Sequence, residues 1–180
     1  MYYKKKGPVN TAQTVKLALE TAQENGIRHI VVASSSGKTA LQFVNDKGVE
    51  IICVTYAYGF SVDGQPSMDD TMREQLKEKS IPVLATTHVL SGVERALSSE
   101  YGGMYPAEIM ANTLRMLGQG VKVCVEISVM ALDAGLIPHG ERVIVVGGSG
   151  TGADTAVVIT PAHAKKVFQT QIHQILCKPL

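Results

Sequence analysis

The apolar positions of the chain follow two alternating patterns. Short runs rich in β-branched residues predict buried strands, and apolar residues that recur every three or four positions predict helices. Strands are predicted over 29–33, 49–54, 81–85, 142–146 and 156–160, with an edge strand over 172–177. Helices are predicted over 10–25, with Asn10 as the N-cap, and over 38–46, 67–79 and 106–117. Short helices are predicted at a capping box over 91–94 and after Pro161. Strands that alternate with helices indicate an α/β fold with a mostly parallel sheet.

The segment from Val121 to Ala134 is apolar almost all round. It fits either a strand followed by a helix or one buried helix, and its length and the following Gly135 favour one helix. Glu126 and Asp133 lie seven positions apart and therefore on one face of that helix. They either pair with Lys or Arg or face a second subunit, so a homo-oligomer remains open.

Composition and charge narrow the class of protein. The 180 residues are 45% hydrophobic and 18% charged, which predicts one globular domain over 1–180. A net charge of +1, with Lys4–Lys6 as the only basic run, argues against nucleic-acid binding. No apolar stretch is long enough for a membrane span or a signal peptide, so we expect a soluble, cytoplasmic protein. The three scattered cysteines predict buried, reduced thiols, and the five histidines show no metal-binding spacing.

Four of the predicted strands each run into a loop rich in Gly, Ser or Thr. These loops are 34–39, 55–61, 86–92 and 147–155. Parallel strands place such loops at one edge of the sheet, where open α/β sheets bind their ligands. We therefore expect the four loops to form one site.

The first loop resembles a phosphate cradle. It contains Ser34, Ser35, Ser36, Gly37, Lys38 and Thr39, and it leads into a predicted helix whose first N–H groups would face an anion. The alternative is a serine N-cap beside a surface lysine. A P-loop does not fit, because Val32 stands where that motif needs its first glycine.

The fourth loop carries Gly148, Gly150, Thr151 and Asp154. Its glycines match part of the dinucleotide fingerprint, but the following residues predict a strand where that motif needs a helix. The glycines instead favour close approach of a ligand to the backbone. Asp154 either bonds a ligand or satisfies amides of its own loop.

The second and third loops supply rings. Tyr56, Tyr58 and Phe60 either stack on a planar ligand or plug the space beneath the loop. Thr87 and His88 lie in the third loop, where His88 serves as an acid–base group, an anion donor or a structural residue.

The 34–40 segment, SSSGKTA, resembles the Ser-Gly-Arg-Thr loop with which the C-terminal domain of pyruvate kinase binds a sugar phosphate. The glycine-rich 147–155 segment resembles the second loop of that allosteric site. Nearly the whole chain is similar to stand-alone proteins of this kind. The resemblance implies a three-layer α/β/α sandwich and, because the catalytic barrel is absent, no pyruvate kinase activity.

The resemblance also implies FMN in the cleft. The phosphate would lie on 34–39, the ribityl chain or ring along Gly148, Gly150, Thr151 and Asp154, and the flavin against Tyr56 and Tyr58. Lys38 replaces the usual arginine, which keeps the charge and loses the bidentate fork.

Three functions follow as hypotheses. The first is an FMN-binding flavoprotein of unknown reaction. The second is a sensor or binding module for a phosphorylated metabolite such as a sugar phosphate. The third is an enzyme that acts on a small phosphorylated substrate, with His88 or Asp154 as the acid–base group.

Overall fold

A computed structural model describes residues 1–43 and 48–180. The strands are β1 Tyr2–Tyr3, β2 His29–Ala33, β3 Glu50–Thr55, β4 Val83–Ala85, β5 Val143–Gly147, β6 Thr155–Thr160 and β7 Gln171–Pro179. The α-helices are α1 Thr11–Asn25, α2 Asp70–Glu78, α3 Glu94–Tyr101, α4 Pro106–Arg115 and α5 Gln119–Asp133. Short 3₁₀ helices cover Pro8–Asn10, Ala40–Phe43 and Ala164–Gln169.

The strands form one sheet in the order β1-β7-β6-β5-β2-β3-β4. Only the pairs of β6 with β5 and β7 are antiparallel. Successive side chains of β2 pack on opposite faces: Ile30 and Val32 lie in the core beneath α1 and α2, whereas Val31 packs in the core beneath α5. The predicted α/β/α sandwich with a mostly parallel sheet is therefore confirmed.

Helix α5 is one helix, as its apolar pattern predicts. All but one of its residues from Gly120 to Leu132 are buried, between the sheet and α4. Because the helix is covered by its own chain, the apolar surface that left a homo-oligomer open is not available on it. An oligomer stays a prediction without that support.

The edge strand predicted over 172–177 is present within β7, where these residues pair with β6. Beyond the predicted residues, Tyr2 and Tyr3 pair in parallel with Lys178 and Pro179 and extend the sheet by one short strand, β1. Tyr3 is buried, and its hydroxyl lies 3.1 Å from that of Thr14. A two-residue strand has no periodicity from which it could be predicted.

At two predicted helix starts, the side chains form hydrogen bonds other than those expected. Asn10 precedes α1 as expected, but its side-chain amide donates to the carbonyls of Lys5 and Gly7 and does not cap the helix. The expected capping box at 91–94 is also wrong, because Glu94 accepts a hydrogen bond from the Ala107 amide on α4.

The helix predicted over 38–46 begins as a single 3₁₀ turn at Ala40–Phe43. Its remaining residues, from 44, lie outside the described part of the chain. Within the described residues, no helix is long and apolar enough to cross a membrane. Cys53, Cys124 and Cys177 are buried and free, as predicted.

Candidate functional site

The loops that follow β2, β3, β4 and β5 meet in one cleft at the carboxyl ends of these strands, on the α5 face of the sheet. Its inner part, the narrow cavity, has a volume of about 130 Å³. It is lined by Ala33, Ser34, Ser35, Val54, Thr55, Tyr56, His88, Gln119, Val123, Glu126, Ile127, Gly148, Gly150 and Gly152. Residues from all four predicted loops therefore converge.

The outer part, the wide cavity, has a volume of about 440 Å³. It shares Tyr56, His88, Gln119, Val123 and Glu126 with the narrow cavity, so the two cavities are adjacent. The rest of the wide cavity is lined by residues of α3, α4, α5 and the loops: Phe60, Leu90, Ser91, Arg95, Gly103, Met104, Glu108, Ala111, Asn112, Arg115 and Lys122. The volume of the wide cavity falls in the range of roughly 300–1,000 Å³ typical of small-molecule sites.

The serine loop is held in shape by its own bonds. The Oγ of Ser34 accepts from the Thr39 amide at 3.1 Å, and the hydroxyl of Thr55 donates to the Ser35 carbonyl at 2.8 Å. Of the six residues predicted to hold phosphate, only Ser34 and Ser35 line the narrow cavity. Ser36 and Lys38 are exposed outside it.

Gly37 has a structural reason to be glycine. Its φ is +82°, and a Cβ there would lie 2.3 Å from Cγ of Met72 on α2. The expected α-helix after the loop is absent among the described residues, where Ala40–Phe43 forms one 3₁₀ turn. The described residues therefore provide no α-helix N-terminus that could face an anion at this loop.

Asp154 is fully buried, and it joins the segment at Gly7 to its own loop. Its Oδ2 accepts from the amides of Gly7 at 2.8 Å and Ser149 at 3.3 Å, and its Oδ1 accepts from the Thr155 hydroxyl at 2.9 Å. These contacts favour the structural reading of Asp154. In the same loop Gly148 and Gly150 line the narrow cavity, whereas Thr151 is exposed outside it.

Three rings form an aromatic wall, Tyr56, Phe60 and His88, where the two cavities join. Tyr56 and Phe60 stack with centroids 3.9 Å apart, and the His88 ring lies 5.5 Å from each. Tyr58 lies away from the cavities, 58% exposed, with the Arg73 guanidinium 5.5 Å from its ring. Thr87 is likewise exposed and outside both cavities.

A buried ion pair adds to this junction. Nζ of Lys122 lies 2.5 Å from Oε2 of Glu126, and Oε1 of Glu126 accepts from the Leu90 amide at 3.1 Å. The predicted pairing of Glu126 with a basic residue is confirmed. The role of Lys122 in the cleft was missed, although a Lys and a Glu four apart in an apolar helix were a usable signal.

Asp133, on the same helix, bonds to histidine instead of Lys or Arg. Its carboxylate lies 2.6 Å from Nδ1 of His163 and accepts from the Ala164 amide. Asp133, His163 and Ala164 do not line the cleft.

The environment of His88 favours its neutral form. Burial lowers the pKa of His88, and the charges of Lys122 and Arg95 lower it further, against an opposing effect of Glu126. A neutral imidazole has one nitrogen that accepts a proton or a hydrogen bond. Acid–base assistance to a bound ligand is therefore within the chemical reach of this residue.

Comparison with known proteins identifies a family. A family model described as the pyruvate kinase alpha/beta domain matches residues 12–159. Two crystal structures of pyruvate kinase from Cryptosporidium parvum, one in complex with ADP, are similar at 17% and 16% identity, with TM-scores of 0.41 and 0.39. They are matched over 84% and 94% of this chain, which spans about a quarter of their length (23% and 24%). A methyltransferase from Podospora anserina, solved with SAH, matches over 74% of this chain and 51% of its own at 16% identity, with a TM-score of 0.31.

Proposed function

The chain belongs to the pyruvate kinase alpha/beta domain family, and from that premise we propose that its cleft binds a small phosphate-bearing ligand, FMN. The observation that carries the proposal is that the two cavities are adjacent and share the aromatic wall. One ligand would reach from the hydroxyl- and glycine-lined loops of the narrow cavity to the side of the aromatic wall that faces the wide cavity. FMN has a phosphate at one end, a polyol chain in the middle and a planar ring at the other end. Hydroxyl groups suit the phosphate, the glycine loop suits the chain, and aromatic side chains suit the ring.

The narrow end suits the phosphate. Ser35 is exposed there, beside Gly148 and Gly150. A Cβ at Gly150 would meet no other atom, so the missing side chain leaves this part of the backbone open to a ligand. Lys38 extends from the same loop outside the cavity and supplies a positive charge near the phosphate.

The wide end suits the ring. Tyr56 and Phe60 are already stacked on each other, so a flavin would pack on the outer surface of the aromatic wall. His88 completes that wall and, as a neutral imidazole, can hydrogen-bond to a ring nitrogen or carbonyl.

A phosphorylated metabolite without a planar ring, such as a sugar phosphate, is the second candidate. The small volume and hydroxyl lining of the narrow cavity favour it, because the phosphate end alone would be filled. Such a ligand would use Ser34, Ser35 and the glycine loop and would leave the aromatic wall uncovered.

The first experiment is a visible absorption spectrum of the purified protein, with mass spectrometry of any compound released on denaturation. Protein without bound flavin is then titrated with FMN and with riboflavin, which lacks the phosphate. We expect saturable FMN binding and riboflavin affinity lower by roughly tenfold or more, the scale of charge-assisted hydrogen bonds. A colourless protein that takes up no FMN would reject the flavin and favour a sugar phosphate, which is titrated next.

Two pairs of variants locate the ends of the ligand. Tyr56→Ala should weaken FMN and riboflavin alike, whereas Tyr101→Ala, at an exposed tyrosine outside both cavities, should change neither. Lys38→Ala should weaken FMN by roughly tenfold and leave riboflavin unchanged. Lys77→Ala, at an exposed lysine on α2, is its control. Unchanged FMN affinity in folded Lys38→Ala would remove Lys38 from the phosphate site.

A further inference from the structure

The wide cavity carries an uneven set of charges. Three cationic side chains line it, Arg95, Arg115 and Lys122, with two carboxylates, Glu108 and Glu126. The Glu126 carboxylate is already engaged by Lys122 and by the Leu90 amide. Arg95 and Arg115 are therefore the two cationic side chains of this cavity that do not belong to the Lys122–Glu126 ion pair.

Glu108 does not neutralise them. Its Oε1 accepts from the hydroxyl of Ser98 at 2.7 Å, and its Oε2 accepts from the Tyr105 amide at 3.2 Å. These bonds connect α3 to the start of α4. Among the described residues, neither Arg95 nor Arg115 forms a salt bridge.

Arg115 is held in place without being neutralised. Its Nε donates to Oε1 of Gln119 at 2.8 Å, and its Nη1 donates to Oδ1 of Asn112 at 2.7 Å. Both acceptors are neutral amide oxygens, so the guanidinium keeps its full charge. Arg115 is exposed, and these two bonds restrict its guanidinium, which therefore loses less conformational entropy when it binds an oxyanion.

We propose that Arg95 and Arg115, which both line the wide cavity, form a second subsite there, which binds the phosphate or carboxylate group of a small organic anion. This anion is a different molecule from the ligand whose phosphate lies at the serine loop. It would lie beside the aromatic wall, next to any planar ring bound there. The subsite therefore suits a co-substrate or effector, and it rests on the charges of the wide cavity whatever the first ligand is.

The test uses ¹⁵N-labelled full-length protein and two probes, inorganic phosphate and succinate. The Nε–Hε resonance of Arg115 reports on the subsite directly. We expect it to shift saturably at millimolar concentrations of at least one probe, the affinity range of a few polar contacts. Comparison of the two probes tells whether phosphate or carboxylate is preferred.

Variants distinguish a subsite from a general attraction of anions. Arg115→Gln and Arg95→Gln should each weaken the probe at least about tenfold, because a charge-assisted bond is lost. Their amide resonances must show that they fold. Arg142→Gln, at an exposed arginine directly before β5 and at the other end of the sheet, should leave probe binding unchanged. No saturable shift, or equal affinity in all three variants, would overturn the proposal.

Titration of the same probe in the presence of FMN separates this inference from the proposed function. Simultaneous binding supports the second subsite. Competition would overturn it, because the arginines would then hold the phosphate of FMN itself. If the protein binds no FMN but Arg115 still responds to the probe, the FMN proposal fails and the second subsite stands.

Discussion

The ammonium of Lys122 lies 2.5 Å from a carboxylate oxygen of Glu126, one turn further along α5, and both side chains are less than a tenth exposed. The other oxygen of Glu126 accepts from the Leu90 amide, so the pair also attaches the loop after β4 to α5. A buried pair can lose as much through desolvation as it gains through attraction. Glu126 lines both cavities and Lys122 lines the wide one, so a change that breaks the pair affects both the stability of the fold and the shape of the cleft.

Removal of one partner should destabilise the protein strongly. Lys122→Met leaves the Glu126 carboxylate buried without its cation, which typically costs about 3–5 kcal/mol. Urea unfolding followed by circular dichroism measures this loss. The double variant Lys122→Met/Glu126→Gln should recover most of it, because an amide oxygen still accepts from Leu90 and no charge is buried.

The exposed pair of Lys16 and Glu20 provides a matched control with the same spacing. These side chains are 73% and 51% exposed at 3.8 Å. Lys16→Met should change the free energy of unfolding by less than about 1 kcal/mol. Equal effects of Lys16→Met and Lys122→Met would contradict the importance of burial at Lys122.

His88 should make the stability depend on pH. Burial lowers its pKa in the folded protein, so the unfolded chain binds the proton more readily. Stability should therefore fall as the pH decreases below about 6.5, the ordinary pKa of histidine, towards the lower folded value. The midpoint of the His88 ring resonance in an NMR titration should lie below that of the urea-unfolded chain. An equal or higher midpoint in the folded protein would refute the expectation.

Gly120 should tolerate no side chain. A Cβ at this position on α5 would lie 2.0 Å from Oγ1 of Thr155 on β6, too close for any real contact. Gly120→Ala should therefore lower the free energy of unfolding by about 1–3 kcal/mol through overpacking. In a Thr155→Gly background the same change should cost less, because the hydroxyl and the Cβ of Thr155, which would lie 2.0 and 2.4 Å from the new Cβ, are gone. Equal costs in both backgrounds would point to backbone effects instead.

The thiols should be unreactive in the folded protein. Burial raises the pKa of Cys53 to about 12, against a smaller opposing effect of Arg73, and it raises the pKa of Cys124 well above its ordinary value. Since the thiolate is the reactive form, an aromatic disulfide reagent at pH 8 should modify neither residue until denaturant is added. Rapid reaction of either thiol without unfolding, identified by peptide mapping, would disagree with this burial.

The periodicity of the apolar residues was sufficient to predict the layers of the fold. Buried strands such as β2 and the amphipathic α1 have patterns that one segment determines alone, and α5 could be predicted from its length. The convergence of the four loops followed from the same reasoning, because parallel strands end at one edge of a sheet. The glycine and serine residues after each strand therefore indicated the edge of the sheet at which the loops converge.

Tertiary structure decided which residues at this edge of the sheet are hydrogen-bonded to one another. Asp154 bonds to Gly7, which is 147 positions away, and Glu126 bonds to Leu90, which is 36 positions away. Such contacts have no local pattern, and neither does the position of Arg115 at the cleft. The sequence by itself determined which segments form strands and helices and at which edge their loops meet, because these depend on local periodicity and chain direction. Only the packed chain decided which side chains are used to hold loops together and which remain free to meet a ligand, because that depends on contacts between distant segments.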